Sequence, residues 1–96
     1  MRRRTPSHGI GEASGKGRAA RAATMAINDR KLGRKRLRTA VSVSVKVTSG
    51  RDFGVPELEI ALGRVHDAVG PDAPIRWGHR FQYLLVGKAR VEITAR

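Results

Sequence analysis

From Ala40 the chain alternates strictly, with Val41, Val43, Val45 and Val47 on one side and Ser42, Ser44, Lys46 and Thr48 on the other. A β-branched run of period two predicts a half-buried strand. Ser49 to Gly54 reads as a turn from its Gly and Asp content. Pro56 then suits a first helical position, and Glu57 and Glu59 suit the positive end of a helix dipole. Leu58, Ala61, Leu62, Val65 and Val69 recur at three- and four-residue spacing, so the helix carries one apolar stripe and ends at Gly70 and Pro71.

Alternation resumes from Ile75 to Leu85, with Trp77, His79, Phe81 and Tyr83 sharing the side of Ile75 and Leu85. Gly87-Lys88 reads as a two-residue hairpin turn. A last strand then places Ala89, Val91, Ile93 and Ala95 inward and Arg90, Glu92 and Thr94 outward. The predicted fold class is α+β in the order β-α-β-β, a three-stranded sheet packed against one helix over residues 39–96. One helix covers one face of such a sheet. The other face, bearing Ser42, Ser44, Lys46, Arg76, Arg80, Gln82, Arg90 and Thr94 with Glu92 the lone acid, is expected to stay open.

Residues 1–38 show no comparable pattern. The first 24 hold Pro6 and four glycines, with almost nothing apolar larger than Ala, so too little surface can be buried to offset the ordering entropy. They read as a disordered basic arm. An Arg-rich transit peptide, or a chain that truly starts at Met25, are the other readings. Gly11 to Gly17 resembles a phosphate-cradling loop only superficially, because Ile10 stands where the motif needs Gly and Gly17 where it needs Ser or Thr.

Charge sharpens the division. Residues 1–40 hold 12 Lys+Arg against 2 Asp+Glu, and residues 41–96 hold 8 against 6, so the net charge of +12 lies almost wholly in the first part. From Met25 onward the balance is still 14 against 7, so the start site does not alter the conclusion. Six of the nine residues from Arg30 to Arg38 are basic. Dense Lys and Arg tracts of this kind neutralise phosphates without needing a fixed fold. The expected function is therefore non-enzymatic nucleic-acid binding, DNA or RNA, through largely sequence-independent backbone contacts. Arg30, Lys31, Arg34, Lys35, Arg36 and Arg38 are the candidate contacts on the arm, and Lys46, Arg76 and Arg80 extend them over the open sheet face.

Other chemistry finds little support. The chain has no cysteine, which removes disulfides, thiol nucleophiles and Cys-based zinc sites. His66 and His79 lack a third ligand at metal spacing, and Glu59 stands two helical turns from His66, beyond the reach of an acid–base pair. No catalytic residue, metal or cofactor is expected. Trp77, Phe81 and Tyr83 could stack on unpaired bases, but their parity with Ile75 and Leu85 assigns them to the core. Leu84, Val86 and Ile60 fall off the buried stripes and are candidates for a homo-oligomer contact. A structural or scaffold subunit of a homo-oligomeric, virion or ribonucleoprotein assembly is the alternative function, with an oligomeric small-molecule binder built around Trp77 the third. No apolar run reaches the roughly 20 residues a spanning helix needs, and the expected location is cytoplasmic.

Overall fold

The computed structural model describes residues 6–71 and 73–96. Strand β1 (Ser7–Ser14), helices α1 (Arg18–Ile27) and α2 (Arg34–Arg38), strand β2 (Val43–Ser49), helix α3 (Val55–Ala68) and strands β3 (Ile75–Phe81) and β4 (Lys88–Ala95) follow in order. A 3-10 turn at Tyr83–Leu85 joins the last two strands. The four strands form one mixed sheet in the order β1-β4-β2-β3. β4 is antiparallel to both β1 and β2, and β2 pairs with β3 in parallel across the α3 crossover.

The α+β class holds, and α3 ends within a residue of its expected limits. From Val43 onward the register of β2 and β4 holds as well, because Val43, Val45, Val47, Ala89, Val91, Ile93 and Ala95 are all buried under the helices, whereas Val41, expected on the same side, precedes β2 and is exposed. Two expectations are corrected. β3 and β4 are not a hairpin, because β4 lies between β1 and β2 and the 3-10 turn carries the chain across the end of β2. Gln82 N–H donates to the Ser49 carbonyl at 2.8 Å and Gly50 N–H to the Leu85 carbonyl at 3.0 Å, which pins this crossing. A Cβ on Gly50 would lie 2.5 Å from the Val86 backbone, so only glycine lets the two segments pass.

The second correction concerns residues 7–38, which are not an arm but the fourth strand and two helices of the fold. β1 carries an alternation of size where hydropathy shows none. Ser7, Gly9, Gly11 and Ala13 face the helices, and His8, Ile10, Glu12 and Ser14 face away. The glycines let α1 settle directly on the strand: a Cβ at Gly11 would stand 2.1 Å from the Ala22 carbonyl oxygen, and one at Gly9 2.3 Å from that of Ala26. Ala19, Ala22, Ala23, Ala26 and Ile27 are the matching buried stripe of α1, at helical spacing. Alanine suits the position twice, through its helix propensity and its thin side chain. Met25 lies inside this helix, so a chain starting there would lack β1 and most of α1.

Arg18, at the first turn of α1, fastens this layer to the rest. Only 7% exposed, it donates from Nε and Nη2 to the two oxygens of Glu57 at 2.9 and 2.8 Å, and from Nη1 to Asp52 Oδ2 at 2.7 Å. Nη2 also reaches the Asp52 carbonyl at 3.0 Å, and the guanidinium sits 5.2 Å from the centroid of the Phe53 ring. Asp52 in turn accepts from Gly87 N–H, and Glu57 from Gly54 N–H at the start of α3. One side chain thus links α1, the β2–α3 loop, α3 and the approach to β4. The Arg18 bonds hold the carboxyls of both Glu57 and Asp52 below the usual carboxylate range, and the two carboxylates raise the guanidinium pKa in return.

Gly11→Ala should lower stability by about 1–3 kcal/mol through forced displacement of α1. Gly63→Ala, in α3 with open space around it, should raise stability by about 1 kcal/mol through helix propensity. Urea melts of both variants distinguish close packing from a general intolerance of alanine. The acid limb of stability tests Arg18. Because the folded-state carboxyl pKa values lie below the unfolded ones, the stabilisation is complete at neutral pH and disappears as pH falls through the folded values. Arg18→Met should cost about 2–3 kcal/mol at pH 7 and flatten the stability curve below about pH 4; an unchanged acid limb would refute the assignment.

Candidate functional site

The uncovered sheet face is assembled from all four strands. In register across it run His8, Thr94, Ser44 and Arg76, then Ile10, Glu92, Lys46 and Gly78, then Glu12, Arg90, Thr48 and Arg80. Lys46, Arg76 and Arg80 are exposed here, as expected from their parity. The face is less basic than three strands would make it. β1 contributes Glu12, which pairs with Arg90 at 3.1 Å, and Glu92 stands opposite Lys46. His8 Nδ1 lies 3.0 Å from Thr94 Oγ1.

The basic tract occupies the opposite side of the molecule. Leu32 and Leu37 are buried and anchor the crossover from α1 to β2 in the core, which is why their five-residue separation fits no helical stripe. Asp29 begins the tract and accepts from the backbone N–H groups of Ile10 and Lys31, both at 3.0 Å. Those donors hold its carboxyl below the usual range. Arg30, Lys31, Arg34, Lys35 and Arg38 are exposed and Arg36 is half-buried. Arg34 Nε donates to Asn28 Oδ1 at 2.8 Å. Arg34, Lys35 and Arg38 line a groove on the helix side, and Lys46, Arg76 and Arg80 lie on the other face of the sheet. Between α1, α2 and α3 lies a groove of about 560 Å³ whose walls include Arg34, Lys35, Arg38 and Arg64.

The aromatic assignment to the core is corrected. Trp77 and Phe81 lie on the helix side of the sheet, yet β3 is the edge strand and extends past the helices, leaving them 56% and 54% exposed. Tyr83 and Leu84 follow at 91% and 88%, and Val86 is exposed too. His79, between the two aromatics, is half-buried. Its ring lies 4.5 Å from Phe81 and 5.5 Å from Phe53. Its Nε2 stands 2.6 Å from Ser49 Oγ, whose hydroxyl donates to the Gly50 carbonyl. Burial lowers the imidazole pKa and favours the neutral ring. Ser49 and His79 have the spacing of a nucleophile and its base, but Ser49 is fully buried and its proton is committed, so the pair ties β3 to β2.

Among the described residues no three His, Cys, Asp or Glu side chains are grouped to hold a metal ion, and no helix is long and apolar enough to cross a membrane. The glycine-rich turn at Gly15 to Gly17 does follow a strand and open a helix. An anion cradle needs free backbone N–H groups, however, and here Gly15 N–H donates to the Gly87 carbonyl at 3.3 Å while Arg21 braces the turn by donating to the carbonyls of Ser14 and Lys16.

Residues 6–96 match the family model described as the FtsZ family, C-terminal domain. The chain is 38% identical over 90 residues to cell division protein FtsZ of Rhizobium radiobacter, which covers 94% of this chain and 15% of that protein. It is 39% identical over 87 residues to cell division protein FtsZ 1 of Rhizobium meliloti, covering 91% and 15% respectively. Among solved structures, the W319Y mutant of FtsZ from M. jannaschii superposes with a TM-score of 0.86 at 26% identity, over 94% of this chain and 27% of the other. Bacillus thuringiensis TubZ shares the fold at a TM-score of 0.67 and 10% identity, over 94% of this chain and 23% of the other. The chain thus spans a small part of the length of its relatives.

These matches overturn the nucleic-acid function and with it the DNA or RNA partner, because the related proteins are cell-division proteins. Arg30 to Arg38 belong to a folded crossover of a known domain. The non-enzymatic reading is corrected too: FtsZ proteins are GTPases, and the part matched here is a C-terminal domain that does not contain their GTP-binding site. The cytoplasmic location agrees with the relatives. Matched along residues 6–96 and sharing the mixed four-stranded sheet, the chain belongs to the FtsZ family.

Proposed function

We propose that this chain is an assembly module of an FtsZ-type filament, supplying contact surface to a polymer whose nucleotide is held elsewhere. The observation that carries the reading is the run Trp77, Phe81, Tyr83, Leu84 and Val86, five of the ten large apolar side chains exposed among the described residues, gathered on edge strand β3 and the turn that follows it. Large exposed apolar patches on small proteins mark interaction sites. The superposition on M. jannaschii FtsZ supports the reading, as does the description of another solved form of that protein as an FtsZ dimer. Docking of a matching FtsZ surface on this edge would bury the aromatics and remove the unpaired outer side of β3.

Trp77 is the single tryptophan and reports on its own surroundings. Added to Rhizobium radiobacter FtsZ with GTP, the chain should co-sediment with the filaments or reduce their mass, and Trp77 emission should shift to the blue. Leu84→Glu should abolish both effects with a melting temperature close to the parent's, since the side chain is almost fully exposed. Unchanged filament mass and unchanged emission at a large excess of the chain would refute the proposal.

A further inference from the structure

The two edges of the sheet, β1 and β3, are finished differently. On β1, Asp29 Oδ2 accepts the Ile10 N–H, which obstructs that edge to a further strand. Among the described residues nothing covers β3 in this way. Val43 N–H donates to the Pro74 carbonyl and Gln82 N–H to the Ser49 carbonyl, so even-numbered residues at both ends of β3 direct their backbone groups to β2. The direction alternates along a strand, which turns the N–H and carbonyl groups of Trp77, His79 and Phe81 outward. Gly78 lies among them on the open sheet face, and a Cβ there would meet no atom within 4 Å.

These features fit a second copy of the same strand. Two antiparallel β3 strands related by a two-fold axis at His79 set Trp77 opposite Phe81 of the second copy, and Phe81 opposite its Trp77. Such pairs exchange backbone bonds through the outward groups, and cross-strand aromatic pairs stabilise a sheet further. On the other face Arg80 stands over Gly78 of the second copy, where no side chain opposes it, and Arg76 stands opposite Gln82. Neighbouring registers are worse. An axis at Gly78 sets Arg76 against Arg80, and an axis at Arg80 sets that residue against itself, whereas like charges directly opposite are destabilising. An axis at Trp77 leaves Phe81 opposite Ala73, outside the strand. We propose that the chain forms a two-fold dimer by antiparallel pairing of β3 with β3 of a second copy, in the register centred on His79. The dimer uses the same edge as the filament contact but does not depend on it.

The test uses the full chain without FtsZ or GTP, so its outcome is separate from that of the filament experiment. Sedimentation equilibrium from micromolar to near-millimolar concentration should give a monomer–dimer equilibrium, with Trp77 emission moving to the blue over the same range. Because each copy carries a net charge of +12, added salt should tighten the dimer. Gly78→Glu sets a carboxylate opposite Arg80 and should tighten it by roughly threefold or more, since the change occurs twice in the dimer. Gly78→Lys sets cation against cation and should weaken it by a similar factor. Gly63→Glu and Gly63→Lys make the same changes of charge in open space on α3, and should alter the constant by less than about twofold. Circular dichroism checks that all four variants fold. A monomer at every concentration overturns the proposal. So do equal shifts from the Gly63 and Gly78 variants, which reduce the effect to net charge, and a dimer whose formation leaves Trp77 emission unchanged, which puts the interface elsewhere.

Discussion

The backbone of α1 rests on the backbone of β1 at Gly9 and Gly11, and this contact sets the spacing of the whole helix layer. Nothing larger than hydrogen fits at either glycine, since the Ala22 and Ala26 carbonyls occupy the space. With α1 held this close, alanines suffice to fill the interface, and the larger Leu58 and Val65 of α3 join the valines of β2 in one core. The closeness also turns β1 into a true fourth strand, because the same residues that admit the helix leave its outward side chains, His8 and Glu12, to bond to Thr94 and Arg90 of β4.

Arg18 converts that packing into a connected structure. Its guanidinium is withdrawn from water but keeps two carboxylates and a backbone carbonyl as partners, the condition under which a buried charge is tolerated. The partners come from the loop and helix that follow β2, so the segment before residue 38 and the segment after it cannot separate without exposing the charge. Asp29 acts in a smaller way at the opposite end of α1. It satisfies the Ile10 N–H on the outer edge of β1, where no neighbouring strand is available to do so.

The surfaces follow from where this core stops. Helices that cover β1, β4 and β2 leave β3 uncovered, so aromatics whose parity is that of the core are exposed at the edge. The basic tract is held by Leu32 and Leu37, and its Arg34, Lys35 and Arg38 line the groove between α1, α2 and α3. Electrostatics and burial are thus separated on the molecule: one edge is apolar, one groove is cationic, and the open sheet face is mixed in sign.

Hydropathy of period two and of period 3.6 was sufficient to locate β2, α3, β3 and β4 and to decide which side of β2 and β4 is buried, because a residue's face depends only on local geometry. It also placed Lys46, Arg76 and Arg80 outward. The arrangement of those elements was beyond it. Which strands are neighbours is decided by long-range pairing, and the insertion of β4 between β1 and β2 has no local signature. β1 and α1 were illegible for a physical reason: their interface is made of glycine and alanine, whose value lies in how closely two backbones approach, and hydropathy does not measure distance. In a single chain the same residues read as disorder. Arg18 shows the complementary limit, since a lone arginine in a basic sequence looks solvated until the fold brings Asp52 and Glu57 to it. Composition determined that the chain is strongly basic; only the tertiary structure decided that most of that charge sits on folded surfaces, with Leu32 and Leu37 buried beneath it.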